Sequence, residues 1–147
     1  MKTVKKALVL GLAAGMATGL AFSASAQATG NVKTEISTAH AHALMAQSAN
    51  TVAMAHTHLH HVINCLVGTD GTGFDTKAGD PCKGQGDGAI PGSANDSAVH
   101  GKLEKALTTA QSGLKSNDLA TIHTDAGKIA ADLGATPSQK SSGAYSW

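Results

Sequence analysis

Residues 54–65, MAHTHLHHVINC, hold four of the eight histidines of this 147-residue chain, with a methionine at one end and one of its two cysteines at the other. Neutral imidazole offers a nitrogen lone pair near pH 7 and binds copper, zinc, nickel, cobalt and iron. Whether several rings can share one ion depends on how the backbone spaces them. On an α-helix, at about 100° per residue, Met54, His58, His61 and Cys65 fall on one continuous stripe. His56 and His60 fall on a second stripe, roughly 160° around the axis. Spacings of three and four residues bring side chains together on one helix face, so each stripe can chelate. Met54 adds a soft thioether that favours Cu(I). Between the stripes, Ala55, Leu59, Val62, Ile63 and Leu66 form the expected buried side.

The remaining histidines extend this pattern. His40 and His42, two residues apart, point away from each other on a helix and cannot share an ion as a pair. His40 is expected to join donors from another helix. His100 and His123 sit at the margins of the apolar stripes of two later helical segments, where they can face His58 and His61.

Other chemistries meet specific obstacles. No H-E-x-x-H zinc-protease motif is present. No C-x-x-C-H haem attachment motif is present either. A non-covalent haem between His58 or His61 and His100, His123 or Met54 is the alternative reading, since helical bundles hold haem in this way. Against it stands the scarcity of bulky side chains and the complete lack of arginine to meet propionates. A further alternative is a non-catalytic structural module whose histidines respond to pH between 5 and 8. No nucleophile–base pattern supports an enzyme. Asp70, Asp75, Asp80 and Asp87 do not follow the calcium-loop spacing, and they read as turn formers.

The elements that must position these residues follow from the rest of the chain. Residues 1–26 combine a cationic start, an apolar stretch and Ala24-Ser25-Ala26, which reads as a secretory signal peptide. The apolar stretch is shorter than the ~20 residues of a membrane span and carries three glycines. The mature chain then has 121 residues, eight lysines and ten acidic groups. That near-neutral balance offers no electrostatic footprint for nucleic acid. Export favours one disulfide, Cys65–Cys82, over the rival reading of a thiolate pair that ligates metal. Closing that loop is worth about 3 kcal/mol on a chain-entropy account.

Residues 27–134 read as a single helical domain. No proline or glycine occurs between Lys33 and Val67, so one helix over 34–67 is expected, with Ile36, Ala43, Leu44, Ser48, Val52 and Ala55 on its inner side. Its weak point is 48–51, where a break would give two antiparallel helices. Residues 68–96 contain eight glycines and two prolines, which rules out regular helix. Helices over 97–115, capped by Asp96 or Ser97, and over 118–134 form a hairpin. Residues 135–147 read as a flexible tail. The expected architecture is all-α: a three-helix bundle, or four helices if the first breaks, with a long Gly-rich loop pinned by the disulfide.

The signal segment, Ala-His-Ala-His at 39–42, Ala-His-Thr-His-Leu-His-His at 55–61 and the Lys/Ala/Leu hairpin resemble bacterial periplasmic small metal-binding helical-bundle proteins. The resemblance implies a periplasmic or secreted protein that buffers, sequesters or delivers Cu, Zn or Ni ions. The regular heptad spacing of histidines expected of that group is lacking here. An exposed His-rich helix also allows metal to bind between subunits of a homo-oligomer.

Overall fold

The helical pattern of 34–67 does not continue through its weak point. Ser48 donates its hydroxyl to the carbonyls of Leu44, at 3.0 Å, and Met45, at 3.3 Å, diverting hydrogen bonds from the helix. Thr51 takes an extended conformation, and its hydroxyl accepts the Met54 N–H at 3.1 Å. The computed structural model, which describes residues 29–134, therefore has two helices where one was expected, α1 (Thr29–Gln47) and α2 (Val52–Val67). The expected signal peptide, residues 1–26, and the expected tail, residues 135–147, lie outside the described residues.

After α2 come a four-residue turn of helix, α3 (Ala89–Gly92), then α4 (Ser97–Gly113) and α5 (Leu119–Gly134). All regular elements among the described residues are helical. The three-helix expectation is corrected to four long helices. α1 packs on α2 and α5, and α4 packs on α5 and α2. Asp96 caps α4 by accepting the Val99 N–H at 3.1 Å. Asp118 caps α5 through the Thr121 N–H at 2.9 Å.

The core is small-residue rich on one side and aliphatic on the other. Ala39, Ala43 and Ala46 of α1 are fully buried beside Ile36. They face Ala55, Leu59, Val62 and Leu66 of α2, with Leu103, Ile122, Ile129 and Leu133 completing the interior. Leu44, expected inside, is 46% exposed, because the buried stripe runs through Ala43 and Leu44 lies about 100° around from it.

The loop after α2 is moored rather than free. Gly68 and Gly88, both with positive φ, meet back to back at its base. A Cβ on Gly68 would overlap the Asp87 carbonyl, and one on Gly88 would lie 2.5 Å from the carbonyl carbon of Val67, so neither position admits a side chain. Buried Glu35 of α1 accepts the Gly88 N–H at 2.8 Å. Thr38 donates to the Gln85 side chain at 3.0 Å. Cys65 and Cys82 form a disulfide, which points to an oxidising compartment. No described helix is long and apolar enough to cross a membrane.

Two substitutions test this packing. Gly101 lies exposed within α4 with nothing within 4 Å of an added Cβ. Gly101→Ala should raise unfolding free energy by about 0.8–1 kcal/mol in urea titrations. Burial pushes the Glu35 carboxyl above its usual range; the Gly88 hydrogen bond opposes this, and the Asp87 and Asp80 charges add to it. The folded state therefore holds a proton longer than the unfolded chain, so this group's contribution falls as pH rises through that window. Glu35→Gln keeps an oxygen acceptor for Gly88 and should flatten that part of the stability–pH curve.

Candidate metal centre

Folding α1 back on α2 brings residues equidistant from Asn50 together. His42 of α1 meets His58 and His61 of α2. His42 Nδ1 lies 3.2 Å from His58 Nδ1 and 3.3 Å from His61 Nδ1. The rings are tilted or edge-on to one another, with the His42 and His61 centroids 4.6 Å apart. All three side chains are half-buried. Among the described residues, this is the one cluster of three or more His, Cys, Asp or Glu side chains whose donor atoms converge closely enough for a metal ion.

The spacing has a chemical meaning. Metal–nitrogen bonds of about 2.0–2.1 Å at a tetrahedral angle place donor atoms about 3.3–3.4 Å apart. The protonation pattern agrees. His61 Nε2 is 2.6 Å from the Ala78 carbonyl. A carbonyl only accepts, so Nε2 carries the hydrogen and Nδ1 of the neutral ring is a bare lone pair aimed at His42. One proton on His42 Nδ1 can satisfy His58 or His61, not both. A cation at the shared point satisfies all three.

Two rings of the cluster, His42 and His58, also resist protonation. The His42 pKa is lowered to about 4, by burial first, then by the neighbouring His61 and His58. Burial, followed by His61, lowers that of His58. Both rings therefore stay neutral at pH values where a solvent-exposed histidine is charged.

The other candidates are placed elsewhere. His56 Nε2 donates to the Ser116 carbonyl at 2.9 Å, beside the α4–α5 turn. His60 Nδ1 lies 3.4 Å from Asp75 Oδ2, without hydrogen-bond geometry. His56 and His60 thus turn to different partners instead of chelating together. His100 Nδ1 donates to the Ile90 carbonyl at 3.2 Å, with Glu104 Oε1 3.8 Å from its Nε2. His123 Nε2 donates to the Ala49 carbonyl at 2.8 Å, holding the α1–α2 turn. His40 packs against Gly134 at the end of α5, where an added Cβ would lie 3.3 Å from its Nε2. Met54 is 49% exposed, one turn before His58. Cys65 is oxidised and carries no thiolate.

His42 is the participant that the sequence reading passed over. On one uninterrupted helix it lies more than three turns from His58. The available signal was the weak point at 48–51, since a hairpin there pairs position 42 with position 58.

No family model matches this chain, and neither a curated protein nor a solved structure matches it.

The depressed His42 pKa gives a signed prediction. Between its usual value of 6.5 and about 4 the unfolded chain binds a proton that the folded chain refuses. Metal-free protein should therefore lose stability as pH falls across that window. Denaturation at pH 7 and pH 4.5 should show a smaller loss on acidification for His42→Phe than for the parent.

Proposed function

We propose that this protein is an exported carrier of transition-metal ions, holding one ion between His42, His58 and His61. The observation that carries this reading is the approach of His42 Nδ1 to within 3.2 Å of His58 Nδ1 and 3.3 Å of His61 Nδ1, with donor atoms of all three within 4.8 Å of one another and the His61 tautomer set for ligation. Three neutral imidazoles suit copper, zinc and nickel, and intrinsic affinity runs highest for Cu(II). Three protein ligands leave a coordination position for water or an incoming donor. With no carboxylate in the donor set and a half-buried setting, the site suits capture and hand-over, so the role is buffering, sequestration or delivery and not catalysis. The disulfide and the 1–26 leader together support a periplasmic or secreted location, as in the metal-binding helical bundles that the histidine-rich segments resemble. Met54, exposed one turn away, is a candidate for guiding Cu(I) toward the cluster. The haem reading is weaker, because His100 and His123, the expected axial partners of His58 or His61, turn to the Ile90 and Ala49 carbonyls.

Calorimetric titration of metal-free protein with Zn(II) and Cu(II) should give one ion per chain. His42→Ala, His58→Ala and His61→Ala should each weaken binding by about a hundredfold or more, exceeding the loss typical of outer hydrogen-bond partners. His56→Ala, His100→Ala and His123→Ala should retain the site. Equal binding by the first three variants would remove this cluster as the centre.

A further inference from the structure

His61 ligates only while its Nε2–H is held, and what holds it is a loop carbonyl. The loop is in turn held by Asn64, one turn further along α2. Asn64 is buried, with 1% of its surface exposed, and its side-chain hydrogen bonds go to this loop. Its Nδ2 donates to the Asp75 carbonyl at 2.9 Å and to the Gly79 carbonyl at 2.7 Å. Its Oδ1 accepts the Asp75 N–H at 2.9 Å. The successive carbonyls of Ala78 and Gly79 thus reach His61 and Asn64, three residues apart on one helix face. Gly79 lies between those two peptide groups with φ +87°, a conformation that side chains disfavour, and an added Cβ would stand 3.9 Å from His61 Nε2. Cys65, next to Asn64, ties the same helix to Cys82, three residues beyond Gly79.

From this geometry we infer that the loop of residues 68–88 is a working part of the metal centre, and that Asn64 is the positioning residue that keeps His61 in its ligating tautomer. The inference deepens the metal-binding reading and rests on it for its function. Its structural half, control of the tautomer, stands in the metal-free protein. Because binding couplings are reciprocal, an ion in the cluster should in turn order the loop.

The test reads tautomer and affinity separately. Long-range proton–nitrogen NMR of metal-free wild-type protein at pH 7.5 should show His61 protonated at Nε2. Asn64→Ala removes the loop's anchor, and Gly79→Ala displaces the paired carbonyls, while the disulfide keeps the loop attached in both. In each folded variant the His61 tautomers should mix, and Zn(II) affinity should fall about 10–100-fold, the usual cost of losing a ligand's outer hydrogen bond. Zn(II) should slow exchange of the Asp75 amide in the wild type and do so less in Gly79→Ala. A purely structural role for Asn64 would lower thermal stability but leave tautomer and affinity unmoved. That result, in either folded variant, overturns the inference, as does a wild-type His61 protonated at Nδ1. Should wild-type protein take up no Zn(II) or Cu(II), the carrier reading fails, and the tautomer comparison alone decides the role of Asn64.

Discussion

The packing of the alanine face of α1 on α2 is the constraint on which the site depends. Ala39, Ala43 and Ala46 on α1 and Ala55 on α2 are all fully buried. Helix separation is set by the side chains at the contact, and alanine sits at the short end of that range. The rings of His42, His58 and His61 emerge beside this seam and meet at contact distance. Larger residues at the seam would part the helices and the rings with them. The turn at 48–51 supplies the other half of the constraint, and His123 secures it by donating to the Ala49 carbonyl.

The same crowding explains the electrostatics. Burial disfavours charge on His42 and His58, and the neighbouring imidazoles add to the effect. A proton and a metal ion compete for the same lone pairs, so rings that reject protons, as His42 and His58 do, keep their donors available. The surplus of histidine thus divides into two uses. Three rings share one point, whereas His56, His100 and His123 each donate to a backbone carbonyl in or beside a connection between helices. Buried or half-buried carbonyls at such places need a donor, and histidine supplies one without a permanent charge.

The Gly-rich connection belongs to this arrangement. Its glycines allow the backbone to double back at Gly68 and Gly88 and to aim carbonyls at α2 through Gly79. Its anchors, Glu35, Thr38, Asn64 and Cys65, all stand on the two helices that also carry the histidines. Loop and cluster therefore share one scaffold, which is why a segment without regular structure can hold a ring nitrogen at hydrogen-bond distance.

Local rules were enough for much of this molecule. The apolar spacing of α2, α4 and α5, the Asp96 cap, the cysteine pairing and the concentration of ligating chemistry near residues 54–65 are properties of short segments, and a sequence displays them directly. His58 and His61 were legible for the same reason, since two rings three residues apart depend on one helix alone. The turn at 48–51 was harder, because Ser, Asn and Thr only weaken a helix, and whether the chain breaks there depends on what the two halves gain by packing. That gain comes from long-range contacts of α1 with α2 and α5. His42 enters the cluster only through that fold-back, and His40, His56, His100 and His123 are drawn elsewhere by carbonyls and neighbours distant in the chain. Residue type and helical period determined which groups could bind an ion; the closure of α1 onto α2 decided which of them meet, because convergence of lone pairs is a property of three-dimensional distance and not of spacing along the chain.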